Sequence, residues 1–284
     1  MKEFHNKSNK HVTKIVLKVE DIDRSLNFYK NIMGFKILKK EDKEIVLTAD
    51  GINPIIELIQ PKDVIKKIPK RTGLYHFAIL LPNRLQLGLF LKNINEKNYP
   101  IDGGANHNVS EAIYLKDPDD NGIEIYSDID SNKWTWKNNK VKMTTEILDY
   151  KDLLDLAEDN KWDGMPKETV IGHIHLHVSD LEKAKDFYVN GLGFNISSEI
   201  KKSALFLSTA DYHHHIAINI WNGTNIDPLP KNSVGMKYYA IKFPDEDSKK
   251  TTVNKLEKIG YKVIEKDTDV YTKDPSGNLI KLII

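Results

Sequence analysis

The hydrophobic and polar positions of this chain repeat one unit, in which a strand is followed by a helix and three further strands. In the first unit an apolar run begins at Lys14, and Asp21 follows it as a helix cap. Apolar residues then recur on one side of a helix over Ile22–Ile32, which Gly34 ends. Three short apolar segments separated by turn residues follow, at 36–38, 45–49 and 55–60. The same order restarts near residues 74, 171 and 237, so the pattern predicts four βαβββ modules.

The pattern of apolar and polar residues is weaker in two stretches outside the first module. In the second module we predict a helix over Leu85–Lys97 and a strand over Tyr99–Asp102. The segment 128–167 fits no module, contains tryptophans and predicts a helix over Thr145–Glu158. We interpret this segment as packing between domains, with a lid over a site as the alternative.

The two halves of the chain are homologous. Asp21–Phe35 (DIDRSLNFYKNIMGF) matches Asp180–Phe194 (DLEKAKDFYVNGLGF) without a gap. Ile113–Ile125 (IYLKDPDDNGIEI) likewise matches Val270–Leu282 (VYTKDPSGNLIKL) at almost the same spacing. A duplication of this kind predicts two units of similar fold. The predicted domains are residues 1–127 with modules 1 and 2, a linker at 128–167, and residues 168–284 with modules 3 and 4.

Composition narrows the chemistry that the 284 residues can perform. The 42 basic residues balance 41 acidic ones, so nothing indicates a nucleic acid or membrane partner. There is no cysteine, which excludes disulfides, thiolate catalysis and cysteine-bound zinc. The segment Met1–Lys14 lacks the apolar run of a signal peptide, and no apolar stretch reaches membrane-spanning length. We therefore expect a cytoplasmic protein, with a homo-oligomer left open.

Several motifs resemble the vicinal-oxygen-chelate superfamily, which includes glyoxalases, bleomycin- and fosfomycin-resistance proteins and type I extradiol dioxygenases. Each half carries a helix motif ending in FYxxxxGF, followed later by a DPxxN turn before a final strand. Three segments look like the bacterial catechol-2,3-dioxygenase family: Gly73–Pro82, Val109–Tyr126 and Tyr212–Trp221. The resemblance implies an α+β fold in which the four βαβββ modules form two half-open barrel domains.

In this superfamily the metal ligands come from the first and last strands of a module. The first-strand positions are Lys14, His76, His173 and Tyr238, and the last-strand positions are taken as Glu57, Glu124, Asn219 and Lys281. The good ligands for a divalent ion among these are His76, Glu124 and His173. Two imidazoles and one carboxylate form the facial set of non-haem Fe(II) enzymes, which keeps positions open for substrate and O2. The resemblance thus implies Fe(II) as the cofactor, and Mn(II) can replace it in such a set.

This ligand set requires an unusual pairing of the modules. His76 and Glu124 belong to module 2, whereas His173 belongs to module 3. Sequential pairing, 1 with 2 and 3 with 4, is the commoner expectation for the superfamily and leaves His173 apart. We hypothesise the crossed pairing, 2 with 3 and 1 with 4, because it assembles all three ligands. Modules 1 and 4 then form a barrel without metal and with a structural role.

Two of these ligands, Glu124 and His76, can also be interpreted differently. Glu124 can face solvent on a half-buried strand, and His76 can be a hydrogen-bonded core histidine. Glu57 can join His76 and Glu124 in a glyoxalase-like site of modules 1 and 2.

Further histidines are candidates for the pocket. In extradiol dioxygenases a His-His pair before the last strand of module 3 provides the residue that handles the substrate proton. The resemblance assigns this catalytic role to His215, with His214 beside it, and the alternative is a solvated histidine turn. The predicted substrate-pocket residues are His175, His177, His107 and Tyr126.

The resulting prediction is an extradiol dioxygenase that inserts both atoms of O2 into a small aromatic diol. One alternative is a glyoxalase-like lyase or thiol transferase, which would show no O2 uptake with catechols. Another is a non-catalytic drug- or quinone-binding protein, in which replacing His76 would leave ligand binding intact.

Overall fold

The computed structural model describes residues 3–284, so the first two residues of the predicted first domain lie outside it. Module 1 comprises β1 (His11–Lys18), α1 (Ile22–Asn27) with a π-helical turn (Phe28–Ile32), β2 (Lys36–Lys40), β3 (Glu44–Thr48) and β4 (Pro54–Ile59). Module 2 comprises β5 (Gly73–Leu80), α2 (Arg84–Glu96), β6 (Gly103–Asn106), β7 (Ser110–Lys116) and β8 (Gly122–Asp128). Both follow the predicted order of strand, helix and three strands.

A connecting segment precedes the second pair of modules. It contains a 3-10 turn (Ser131–Lys133), β9 (Trp136–Lys137), β10 (Lys140–Val141), β11 (Glu146–Ile147) and α3 (Tyr150–Leu156). Module 3 comprises β12 (Val170–His177), α4 (Leu181–Lys185) with a π-helical turn (Asp186–Gly191), β13 (Asn195–Ile200), β14 (Ala204–Ser208) and β15 (Ile216–Asn219). Module 4 comprises β16 (Gly235–Lys242), α5 (Glu246–Lys258), β17 (Val263–Lys266), β18 (Asp269–Lys273) and β19 (Leu279–Ile283). In residues 3–284 no helix combines the length and the apolar character needed to cross a bilayer.

The modules pair in the crossed arrangement. Modules 2 and 3, with β11 of the connecting segment, form a nine-stranded sheet, the inner sheet, in the order β11-β6-β7-β8-β5-β12-β15-β14-β13. Modules 1 and 4 form an eight-stranded sheet, the outer sheet, in the order β17-β18-β19-β16-β1-β4-β3-β2. The first strands of paired modules lie side by side and antiparallel, as β5 with β12 and β1 with β16. Each sheet therefore takes one module from each half of the sequence. The predicted domain boundaries at residues 127 and 168 stay a prediction.

An aspartate or asparagine after each first strand explains why a helix begins there. Asp21, Asn83, Asp180 and Asp245 all have extended backbone, and each side chain accepts a hydrogen bond from a main-chain N–H of the first helical turn. Such caps satisfy N–H groups that have no partner inside the helix. Four equivalent caps thus turn the chain from strand to helix in all four modules.

The repeated motifs hold the two sheets together. The hydroxyl of Tyr29 in module 1 donates to Asp117 in module 2 over 2.8 Å. The duplicate contact joins the hydroxyl of Tyr188 to Asp274 over 3.0 Å. Each aspartate is buried and also accepts a hydrogen bond from the Asn side chain four residues later. Because each contact crosses from one sheet to the other, the motif spacing that the two halves share serves the packing of the sheets.

Two sequence expectations were wrong in detail. The predicted helix over Thr145–Glu158 starts later, because Asp149 caps α3 and Glu146–Ile147 pairs with β6 as a short strand. The predicted strand over Tyr99–Asp102 is absent, and the β6 ladder begins at Gly103. Pro100 has no N–H to donate to a ladder, which excludes a regular strand at that point.

Candidate metal centre

Three adjacent strands of the inner sheet bring His76, Glu124 and His173 together. Glu124 on β8 lies beside Ala78 on β5, and His173 on β12 lies beside the same Ala78 from the other side. Oε2 of Glu124 is 3.1 Å from Nε2 of His76 and 3.2 Å from Nε2 of His173. One ligand atom of each residue lies within 4.8 Å of the others, a separation that a single ion can span. The sequence alternatives of a solvent-facing Glu124 and a core His76 away from the other ligands do not fit this arrangement.

Burial and charge leave Glu124 and His173 in the protonation states that a metal needs. Burial alone would raise the pKa of Glu124, but His173 and His76 outweigh it and hold that pKa well below its usual value. Burial lowers the pKa of His173 to about 4, although Glu124 opposes the shift. At neutral pH the site therefore offers an ionised carboxylate and a neutral His173 imidazole, and metal ligands must be deprotonated in this way.

The hydrogen bonding of the three side chains also fits a bound metal ion. Nε2 of His76 is buried and makes no hydrogen bond of acceptable geometry within residues 3–284, although Oε2 of Glu124 is near it. Buried polar atoms without a partner are rare in native proteins, and a bound ion can satisfy such an atom. A donor set of two nitrogens and one oxygen, free of sulfur, suits Fe(II) and related divalent ions.

The strand register corrects the fourth ligand position. In modules 1, 2 and 4 the last-strand position pairs with the residue that lies two places after the first-strand position. In module 2, for example, Glu124 pairs with Ala78, two places after His76. In module 3 this register places Ala217 opposite His175, so the equivalent residue is Ala217 and not Asn219. A methyl group cannot bind a metal, and this side of the centre carries no fourth protein ligand.

A cavity of about 450 Å³ opens over the three side chains. His107, His175 and His214 line it together with His76, Glu124 and His173. Tyr75, Tyr114, Phe206 and Trp221 contribute aromatic walls. The volume lies in the range of small-molecule sites, which are mostly apolar with a few placed polar groups.

Of the two adjacent catalytic candidates, the structure brings only His214 to the cavity. Its ring centroid lies 4.0 Å from that of His173. The side chain of His215 points elsewhere, with Nε2 3.3 Å from the main-chain oxygen of Phe4. The two neighbouring histidines precede β15, which begins at Ile216, and their side chains point in different directions. The assignment of the proton-handling role to His215 is not supported by its position.

His214 is the end of a chain of hydrogen-bonded polar groups. Nδ1 of His214 lies 2.8 Å from Nδ1 of His213, and Nε2 of His213 lies 2.9 Å from a carboxylate oxygen of Asp128. The hydroxyl of Tyr212 also donates to Asp128, at 3.1 Å. A carboxylate accepts only, so His213 donates from Nε2 and, when neutral, accepts at Nδ1. His214 then donates from Nδ1, which leaves the lone pair on its Nε2.

A protein-family model matches most of the chain. The model, described as Glyoxalase/Bleomycin resistance protein/Dioxygenase superfamily, matches residues 10–125 and 170–282. The chain belongs to this superfamily. The two matched segments leave out the connecting segment that carries α3.

Relatives in this superfamily extend the likeness to the whole chain. A catechol-2,3-dioxygenase of Bacillus subtilis (strain 168) is 43% identical over 280 residues, which cover 96% of this chain and 97% of the relative. The crystal structure of a putative dioxygenase from Bacillus subtilis subsp. subtilis str. 168 superposes with a TM-score of 0.67 at 14% identity, covering 98% and 86% of the two chains. Glyoxalase I from Zea mays gives a TM-score of 0.60 at 18% identity, with 96% and 92% covered. These two structures show the shared superfamily fold.

Other predicted pocket residues take different places around the centre. Asn219 bridges two of them, since its Nδ2 donates to Nε2 of His175 over 2.8 Å and its Oδ1 accepts from Nδ1 of His177 over 2.7 Å. His177 is absent from the lining of the metal cavity and lines a neighbouring cleft. Tyr126 is fully buried beneath His173, with ring centroids 5.2 Å apart and its hydroxyl 2.7 Å from that of Tyr212. Tyr126 is therefore a support of the centre and not a cavity wall.

Sequence reasoning missed Tyr114, which lies directly opposite Glu124 on β7. Its hydroxyl donates to Nε2 of His107 over 2.7 Å, and His107 in turn donates from Nδ1 to the Thr144 carbonyl. Burial, followed by the charge of Glu124, raises the pKa of Tyr114 well above its usual value. The alternation of side chains along β7 could have indicated Tyr114, because Tyr114 points to the face opposite to that of its neighbours Ile113 and Leu115.

The outer sheet contains no equivalent centre within residues 3–284. Glu57 forms an ion pair with Lys14, with Oε2 and Nζ 2.6 Å apart. Glu57 lies on β4 of the outer sheet, whereas His76 and Glu124 lie in the inner sheet. This separation excludes the alternative site of modules 1 and 2. The ammonium group of Lys14 neutralises this carboxylate.

Proposed function

We propose that this chain is an extradiol ring-cleaving dioxygenase acting on a catechol-like diol at one Fe(II) held by His76, Glu124 and His173. The observation that carries the proposal is the convergence of these three ligand atoms within 4.8 Å under a cavity of small-molecule size. The catechol-2,3-dioxygenase of Bacillus subtilis, 43% identical over nearly the whole chain, supports the reaction class. The overall change consumes one catechol and one O2, and both oxygen atoms end in a ring-opened semialdehyde acid, so no external reductant is required.

The ligand set determines what a metal contributes. Bound Fe(II), which Mn(II) can replace, would supply a Lewis acid that lowers the pKa of the diol and a one-electron path to O2. The protein holds three ligands on three neighbouring strands, where the sheet prevents them from moving apart. Ala217 keeps the fourth register position free of a ligand, which leaves room for the diol and O2.

We assign the proton transfer to His214. Nε2 of His214 has no protein partner within residues 3–284, and its lone pair faces the cavity when Nδ1 donates to His213. A neutral imidazole so oriented can take the proton of a diol hydroxyl and return it to the opening ring. Asp128 and His213 fix this tautomer, and the Asp128 carboxylate stabilises the chain of groups when His214 is protonated.

The remaining cavity residues bind and enclose the ring. Phe206 and Trp221 present apolar faces, while Tyr75 at the mouth is partly exposed. His175 is neutral because burial lowers its pKa well below the usual value, so it offers a hydrogen bond without a charge. The Tyr114 hydroxyl donates to His107, which fixes both side chains beside Glu124. These aromatic walls keep water from the parts of the ring that they cover.

The test is anaerobic reconstitution with Fe(II), followed by addition of O2 and a panel of catechols and hydroquinones. We expect O2 uptake equal to the catechol consumed, with the visible absorbance of a semialdehyde product. Catechol-independent turnover of thiol adducts of 2-oxoaldehydes, without O2 uptake, would identify the lyase alternative and contradict the proposal. Tight binding of quinones with no turnover on any panel member would identify the binding-protein alternative. A homo-oligomer and a cytoplasmic location stay predictions from the sequence.

A further inference from the structure

The floor of the metal cavity is a row of side chains that crosses five strands of the inner sheet. His76 on β5 pairs with His175 on β12, which pairs in turn with Ala217 on β15. Phe206 on β14 and Ser198 on β13 continue the row to the edge of the sheet. Paired residues of neighbouring strands point to the same face, and all of these except Ala217 line the cavity. The cavity therefore extends from the metal ligands toward the edge strand β13.

His175 separates the ligands from the mouth of the cavity. Its ring centroid lies 4.9 Å from that of His76 and 5.2 Å from that of Trp221. The diol oxygens of a substrate would bind the ion itself, which fixes them beside the three ligands. A substituent on the opposite side of the diol ring then points away from the ion. The part of the cavity beyond His175, where Trp221 lies, is the space left for such a substituent.

The far part of the cavity presents an exposed apolar patch, which consists of Trp221, Ile200 and Tyr75. Trp221 is 46% exposed, Ile200 49% and Tyr75 40%, and all three line the cavity. The rings of Trp221 and Tyr75 meet edge to face, with centroids 5.5 Å apart. The main-chain N–H of Trp221 donates to Oδ1 of Asn219 over 3.0 Å, which fixes the backbone that carries this ring. Exposed apolar groups that adjoin a concave site indicate a ligand-binding groove.

The charge of the cavity lining disfavours a negatively charged substituent. Among the described residues that line the cavity there is no lysine and no arginine. The half-exposed carboxylate of Glu199 is paired with Lys140, with Oε1 and Nζ 2.6 Å apart. A carboxylate that enters the cavity would lose its hydration without meeting a cation other than the metal ion, and an unpaired charge is costly to bury. The lining therefore favours an uncharged substituent.

A neighbouring cleft offers the alternative, because Tyr75 and His76 line both spaces. Its basic residues are Lys67, Lys70, Arg71 and Lys116. Arg71 and Lys116 form ion pairs with Asp227 and Asp102, at 2.6 and 4.0 Å. Lys67 donates to the main-chain oxygen of Asp120 over 2.9 Å, and Lys70 is exposed to solvent. This positive charge is satisfied by the protein or by water, whereas the apolar patch of the metal cavity is exposed.

We propose that Trp221 determines substrate specificity by holding an uncharged apolar substituent of the diol. The inference rests on the proposed function, and it selects catechols with an alkyl or aryl group opposite the two hydroxyls over catechol itself and over charged catechols. The substituent lies along the row beyond His175 and packs against Trp221, Phe206 and Ile200. These three side chains offer no metal ligand, so they act on the affinity for the substituent and not on the ion.

The experiment is calorimetric titration of Fe(II)-loaded protein without O2, with catechol, 4-butylcatechol, 3-(3,4-dihydroxyphenyl)propanoate and 2-(3,4-dihydroxyphenyl)ethylamine. Binding without O2 involves no turnover, so its result does not depend on ring cleavage. We expect 4-butylcatechol to bind at least about tenfold more tightly than catechol, which corresponds to two covered methylenes at about fourfold each. The acid and the amine should bind no more tightly than catechol.

The outcomes separate this inference from the proposed function. Equal binding of catechol and 4-butylcatechol, or tighter binding of the acid or the amine than of catechol, overturns the inference and leaves the proposed function standing. Binding of none of the four diols overturns both.

Variants test whether Trp221 carries the preference. Trp221→Ala should reduce the affinity ratio of 4-butylcatechol to catechol at least about fourfold, the contribution of one covered methylene. Trp221→Phe should keep most of the ratio, because a phenyl ring still covers this wall. Trp136→Ala is the matched control and should leave the ratio unchanged, since Trp136 is an exposed tryptophan on β9 outside the cavity lining. Iron content should be the same in all of these proteins. A ratio that survives Trp221→Ala contradicts the assignment.

Discussion

The two sheets of this protein share one backbone plan and differ in the side chains at corresponding positions. The four positions hold His76, Glu124, His173 and Ala217 in the inner sheet, and Lys14, Glu57, Tyr238 and Lys281 in the outer sheet. In the inner sheet two imidazoles converge on one carboxylate. In the outer sheet the same carboxylate position is neutralised by Lys14 at 2.6 Å.

This difference shows that a few side chains decide whether a sheet offers the ligand set proposed for the metal. The first strands pair antiparallel in both sheets, and the last strands flank them in the same register. In the outer sheet, lysine side chains supply the positive charge that a bound ion would supply in the inner sheet. A carboxylate that is wholly or mostly buried is stabilised by a cation in both sheets, and the sequence determines which kind.

The strongest test of the contrast replaces the equivalent carboxylates. Glu124→Gln should abolish stable Fe(II) binding, because it removes a ligand and its charge, and ring cleavage should fall by more than about 100-fold, beyond the loss typical of an outer-shell partner. Glu57→Gln is the matched control and should retain iron and activity. Metal analysis and O2 uptake on the two proteins check this, and equal iron content in both would refute the assignment.

A second test separates the adjacent histidines. His214→Gln should lower kcat about 10²- to 10⁴-fold, the effect typical of a positioned acid–base group, while iron content stays unchanged. His215→Gln should keep kcat close to the parent, because that side chain faces Phe4 and not the cavity. Single-turnover measurements with a catechol give both values. The reverse order would restore the role to His215.

A third test transplants the centre to the outer sheet. The triple variant Lys14→His, Tyr238→His and Lys281→Ala presents two imidazoles beside Glu57 in the register of the inner sheet. We expect a second equivalent of Fe(II) or Mn(II), bound more weakly than the first because no supporting residues have been placed. Equilibrium dialysis counts the ions, and the single variant Lys281→Ala is the control that should bind one. A count of one for the triple variant would show that register alone does not determine the site.

A smaller effect is expected in the acid stability of the metal-free protein. Burial lowers the pKa of His5 to about 3 and of His173 to about 4, below the unfolded value near 6.5. The unfolded chain therefore binds more protons between pH 6.5 and pH 4, and stability present above pH 6.5 is lost as the pH falls through this window. Each such histidine contributes a slope of about 1.4 kcal/mol per pH unit.

Urea unfolding at several pH values measures this slope. His5→Asn should make it shallower, and an unchanged slope would show that His5 is not buried in its neutral form. The control replaces Lys250, which is exposed on α5, and should not alter the slope.

The sequence was sufficient for the features that repeat. The offsets of the duplicated motifs predict the modules, and the need to unite His76 with His173 predicts the crossed pairing that the structure shows. Both inferences depend on residue type and spacing, which can be read directly along the chain.

The predictions that failed concern geometry that residue types alone do not determine. Whether His214 or His215 faces the metal is decided by one residue of register where the chain enters β15. Ala217 and Asn219 share one face of β15, and the choice between them is decided by the pairing of Ala217 with His175 on β12. Asp128 and His213 are 85 residues apart and are joined by a hydrogen bond, so their connection to His214 becomes visible only in the folded chain.

The most direct test of the shared centre is the anomalous diffraction of crystals grown after anaerobic Fe(II) loading, measured at the iron edge. One strong peak is predicted, about 2.1 Å from Nε2 of His76, Oε2 of Glu124 and Nε2 of His173. The outer sheet should show none. A peak between Glu57 and its neighbours, or none at all with the three inner side chains turned apart, would contradict a metal held jointly by modules 2 and 3.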